Sequence, residues 1–104
     1  MEADSFARGI ELSHHFGDPS GKPVYLLTRV YSAEEQTLHM QVFGAKKFRV
    51  WHNGSALVDS LDYEGYRCGR EAEVTLKKGW NTFTVQESNW VWGDLVQFAL
   101  YPKP

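Results

Sequence analysis

The chain has 104 residues, with 11 Lys+Arg against 13 Asp+Glu for a formal net charge of −2, and 14% of its residues are Phe, Trp or Tyr. A length of this order gives a single domain, 1–104, able to bury one core without metal or disulfide staples. Near-balanced charge with no basic run argues against nucleic acid and against electrostatic docking to a membrane, and the lone Cys68 excludes an intrachain disulfide or a cysteine-based metal centre.

The N-terminal stretch MEADSFARGIELSHH lacks the basic region and apolar run of a signal peptide, and no apolar segment approaches the roughly 20 residues that span a bilayer. Within it, FARGIEL reads as an additional strand at a sheet edge. The loop HHFGDPSGKP follows, since its Gly and Pro content opposes regular structure. From Val24 onward the pattern alternates with period two and never settles into a helical period. The predicted strands are 24–31, 37–43, 47–52, 55–59, 72–76, 81–88 and 94–101, with turn residues between them. Seven short strands at this spacing predict an all-β, antiparallel β-sandwich or barrel.

Between 47–52 and 55–59 lies Asn53-Gly54, the pair that a two-residue type I′ turn prefers because both positions need positive φ. A two-residue turn pairs His52 with Ser55, Trp51 with Ala56, Val50 with Leu57 and Arg49 with Val58. That register places Phe48, Val50 and Leu57 on a core face, and Arg49, Trp51, Ala56 and Val58 on the opposite one. Farther along, LDYEGYRCGRE (61–71) reads as a long loop holding Tyr63, Tyr66 and Arg67, and SNWVWGD places Trp90 and Trp92 on the same side of an extended segment.

The same alternation buries Leu38, Met40 and Val42, then Ala72, Val74 and Leu76, then Phe83 and Val85. It leaves His39, Gln41, Arg49, Trp51, Thr82, Thr84 and Gln86 outward. If those strands share a sheet, Trp51 lies in a polar, hydrogen-bonding surface. Such a surface suits a sugar, whose apolar ring face stacks on an aromatic while amides and hydroxyls reach its hydroxyl groups; it equally describes a solvated sheet face with one Trp on it.

Two segments, KFRVWHNGSALV and EVTLKKGWNTFTVQESN, followed by the closing WGDLVQFALYPKP, carry a family resemblance over roughly 24–102. The chain resembles the galactose-binding-like β-sandwich (jelly-roll) domains appended to bacterial glycoside hydrolases and polysaccharide lyases, including carbohydrate-binding modules. The resemblance implies a jelly roll of about seven or eight strands. It implies a non-catalytic module that tethers a larger enzyme to a polysaccharide or oligosaccharide, or that braces a neighbouring catalytic domain. It also implies a secreted or cell-surface setting as part of a bacterial enzyme. In LKKGWN, Gly79 is expected to take a positive φ and Trp80 to cap the end of the core. The candidate ligand contacts are Trp90, Trp92, Tyr63, Tyr66, Arg67 and Trp51.

Other chemistry finds little purchase. No HExxH or Cys/His cluster suggests zinc, and no nucleophile elbow suggests a Ser/His/Asp hydrolase. Asp59, Asp62, Glu64 and Glu71 crowd one region but read as turn and loop residues rather than as a glycosidase pair. No cofactor is required. The family resemblance allows a structural Ca2+, with Asp4, Glu11, Asp18 and Asp94 as oxygen donors, although their spacing matches no EF-hand.

Overall fold

The computed structural model describes residues 10–12, 16–17, 22–44, 47–59, 68–88 and 95–102. Eight strands organise them: β1 (Ile10–Glu11), β2 (Val24–Ser32), β3 (Gln36–Gly44), β4 (Lys47–His52), β5 (Ser55–Asp59), β6 (Cys68–Leu76), β7 (Gly79–Ser88) and β8 (Leu95–Pro102). They form two four-stranded sheets, ordered β1-β8-β3-β6 and β2-β7-β4-β5, with every pairing antiparallel. Consecutive strands switch sheet at each step except from β4 to β5, which is the connectivity of a jelly roll. The edge strand expected in FARGIEL is β1, where Ile10 and Glu11 pair with Val96 and Leu95. The loop expected over 61–71 is corrected at its end: β6 begins at Cys68 and pairs continuously with β3 from Gly44↔Cys68 to Gln36↔Leu76, while 61–67 lie outside the described residues.

Alternation decides which side chains fill the space between the sheets. Met40, Val42, Val74, Leu76, Val96 and Phe98 come from one sheet and Leu26, Phe48, Val50, Val58, Phe83 and Val85 from the other, all buried, with Leu12 beside them. Burial of each stabilises the fold by roughly 1.5–3 kcal/mol. Phe83 and Phe98 meet across the interior with ring centroids 4.9 Å apart, so one tilted aromatic contact joins the two layers.

The β4–β5 hairpin has the predicted turn: Asn53 has φ 48° and Gly54 φ 85°, and His52↔Ser55 and Trp51↔Ala56 pair as the turn requires. Beyond that the expected register is wrong. A β-bulge intervenes, so Val50 pairs with Val58 and Arg49 with Asp59, leaving Leu57 as the extra residue. The consequence is a change of face: Val58 enters the core and Leu57 is only partly buried against it.

Two buried polar residues on β7 hold the ends of the sandwich. Asn81 is fully buried. Its Nδ2 donates to the carbonyls of Lys77 (2.9 Å) and Gly79 (3.1 Å), while its Oδ1 accepts the Lys77 N–H (3.0 Å), which fixes the orientation of the amide. The His52 nitrogen facing that oxygen, Nε2 at 2.9 Å, therefore carries the proton, and the ring stacks on Phe83 at 4.7 Å. Asn53 Nδ2 donates to the same oxygen at 3.2 Å, and Asn53 exchanges two 2.8 Å bonds with the Thr82 backbone. Asn81 thus ties the Asn-Gly turn to the Lys-Lys-Gly turn, where Gly79 has the expected positive φ, 100°. At the other end, the buried Glu87 carboxyl lies against Gly44, where an added Cβ would overlap its Oε1 and meet Phe48 Cδ1 at 3.1 Å.

Candidate functional site

The outward residues grouped together from the sequence divide between two surfaces. Arg49, Trp51, Thr82, Thr84 and Gln86 lie on the outer face of the β2-β7-β4-β5 sheet, whereas His39 and Gln41 lie on β3, in the opposite sheet. Trp51 is half-buried, in a row with Thr84 and Ala56. Trp90, Trp92, Tyr63, Tyr66 and Arg67 fall outside the described residues.

On the β2 sheet the exposed aromatics are Tyr25, Tyr31 and Trp80. Trp80 does not cap the core: it is 62% exposed, because Asn81 and Phe83 point inward and the period-two rule sends their neighbour outward. Its ring meets Tyr31 edge-to-face, centroids 5.4 Å apart at 67°, so the pair makes a ridge rather than a flat platform.

Among the described residues, a concave feature lies on the other sheet. Register places Phe43 opposite Gln97, Gln41 opposite Ala99 and His39 opposite Tyr101. Ala99 is the small residue in this set, and above it the surface dips into a shallow groove lined by Gln41, Phe43, Gln97, Phe98, Ala99 and Tyr101. Phe43 and Tyr101 are 40% and 46% exposed and stand at opposite ends, about 13 Å apart along the strand direction at 3.3–3.4 Å per residue. Between them the two glutamine amides supply donors and acceptors. A hydrogen-bonded row crosses three strands here: Tyr101 OH donates to Gln41 Oε1 (3.4 Å), and Gln41 Nε2 donates to Glu71 Oε1 (3.4 Å). His39 Nε2 lies 3.5 Å from the other oxygen of Glu71.

The arrangement has two aromatic walls, an alanine floor and amides at mid-groove. It can cradle a small amphipathic ring with apolar faces and a polar edge. Phe43, Gln97, Ala99 and Tyr101 were not singled out from the sequence, since the site exists only once β3 and β8 pair. The available signal was the outward parity of Gln97, Ala99 and Tyr101 in LVQFALY. Among the described residues no group of three or more His, Cys, Asp or Glu side chains gathers to hold a metal ion; Asp4, Asp18 and Asp94 lie outside them, as does the Glu11 side chain.

No protein-family model matches the sequence, and no curated protein matches it. Among solved structures, the fold is similar to part of a beta-glucosidase from Kluyveromyces marxianus, determined in complex with glucose, with a TM-score of 0.69 at 14% identity. The similarity covers 92% of this chain and 13% of that enzyme, so the chain spans a small fraction of the larger protein.

Proposed function

We propose that this domain is a non-catalytic carbohydrate-binding module, and that its sugar contact is the groove between Phe43 and Tyr101. The observation that carries this reading is the pairing of two exposed aromatic rings with Gln41 and Gln97 over the Ala99 floor. Stacking on the rings supplies the apolar part of the free energy, and the amides replace water at the sugar hydroxyls. Because that exchange is nearly balanced, affinity in the range of about 4–8 kcal/mol, millimolar to micromolar, is expected. The likeness to a small part of a glycoside hydrolase supports an accessory role beside a carbohydrate-active catalytic domain that acts outside the cell or at its surface. No cofactor takes part in such binding.

The test is a panel of plant, algal, fungal and host glycans against the folded domain by affinity electrophoresis and calorimetry. A hit weakened about tenfold or more, about 1.4 kcal/mol, in both Tyr101→Ala and Gln41→Ala with unchanged thermal unfolding is the expected result. A well-folded domain that binds nothing in the panel overturns it.

A second reading is favoured by the ridge of Tyr31 and Trp80, exposed with Tyr25 on the opposite sheet. Exposed aromatics of this kind suit burial against a neighbouring domain. In that case Trp80→Ala weakens association with the rest of a parent chain and leaves glycan binding untouched.

A further inference from the structure

Building on the carbohydrate reading of the groove, we infer that it selects uncharged sugars and rejects uronates, and that Glu71 is the residue that sets this preference. Glu71 sits directly across from Gln41 in the β3–β6 register, and its side chain is 60% exposed. Cross-strand neighbours have Cβ atoms about 4.5–5.5 Å apart, so the carboxylate lies just beyond Gln41, one strand outside the groove lining.

Its effect is twofold. Accepting from Gln41 Nε2, the carboxylate turns the amide so that Oε1 faces Tyr101, whose hydroxyl donates to it. The tyrosine oxygen then keeps its lone pairs for the groove, where a sugar hydroxyl can donate to them. The second effect is charge. No lysine or arginine is present among the described side chains on the outward positions of β3, β6 and β8, which are Thr37, His39, Gln41, Phe43, Glu71, Glu73, Thr75, Gln97, Ala99 and Tyr101. A uronate carboxylate set beside Gln41 would stand one strand spacing, about 5 Å, from Glu71, and one over Ala99 two spacings, about 10 Å. With Glu71 largely exposed, two such charges at low salt repel enough to change a dissociation constant about two- to fourfold. His39 Nε2, 3.5 Å from the other Glu71 oxygen, offsets the carboxylate only in its protonated form.

The experiment uses the full chain at about pH 8 with two oligosaccharide series of equal length, one neutral (gluco, manno, galacto and xylo) and one of uronates (galacturono and mannurono). At an ionic strength of about 0.01 M the best neutral chain is expected to bind about two- to fourfold more tightly than its uronate counterpart, and at about 1 M the gap should disappear. Glu71→Gln should raise uronate affinity relative to the neutral chain even at low salt. Uronates that match the neutral chains at low salt overturn the inference. So does a preference that ignores salt and survives E71Q, which would make it a matter of shape. The salt series on the unmodified protein decides the question even if the variant folds poorly. Binding to neither series removes the carbohydrate reading and this inference with it, whereas equal binding to both removes this inference alone.

Discussion

Asn81 shows how much one buried amide can organise. It links the His52 ring, the Asn53 side chain and the Lys77 and Gly79 backbone, none of which is adjacent to it in sequence. Asn81→Ala would leave those donors and carbonyls without their partner and is expected to cost about 3 kcal/mol, measured as a lower denaturant midpoint. Asn81→Asp keeps the shape but turns an acceptor toward the Lys77 and Gly79 carbonyls, so it should be comparably destabilising. The apolar part of this environment was readable in the sequence, because Phe83 and Val85 advertise the inward face of β7. Asn81 and Glu87 share their parity yet were not assigned to the core, since polarity argues for solvent until partners are known. Trp80 fails in the opposite direction: its place in the LKKGWN motif suggested a cap on the core, and its parity, opposite to that of Asn81 and Phe83, turns it outward.

At the scale of elements, the alternating pattern located all seven longer strands, and the turn chemistry of Asn53-Gly54 and Gly79 fixed two connections. The bulge in β5 was not visible, because Ser55–Asp59 alternates acceptably in either register. What selects the bulge is tertiary: it rotates Val58 toward Val50, Phe48 and the opposite sheet, and β5 is an edge strand, where an unpaired residue costs least. The expected outcome separates the two registers. Val58→Asn should destabilise the domain by about 3 kcal/mol, from lost burial plus a buried amide, whereas Ala56→Asn on the exposed side should shift stability by less than about 0.5 kcal/mol in urea unfolding. The candidate groove was illegible for a related reason. Its two walls come from β3 and β8, more than 50 residues apart, and periodicity within a strand says nothing about which strand lies beside it.

Across the whole molecule the two outer faces differ in character: one bears the aromatic ridge and the arginines of β2 and β4, the other the groove with its glutamines and carboxylates. A jelly roll permits this division because neither face is covered by a helix among the described elements, so each is free to evolve its own contacts. The same connectivity has a kinetic consequence. With only β4 and β5 neighbours both in sequence and in a sheet, every other ladder must close a long loop before any contact rewards it. Folding should therefore be slow for a chain of this size, and the hairpin at Asn53-Gly54 is the single strand pair that can form early. Gly54→Ala, strained at φ 85°, is expected to lower stability by about 1 kcal/mol and to slow refolding by most of the corresponding factor while hardly changing unfolding. Stopped-flow chevrons would read this directly, and an effect confined to the unfolding arm would place the nucleus elsewhere. A turn chosen for its geometry would then also act as the clock of the fold.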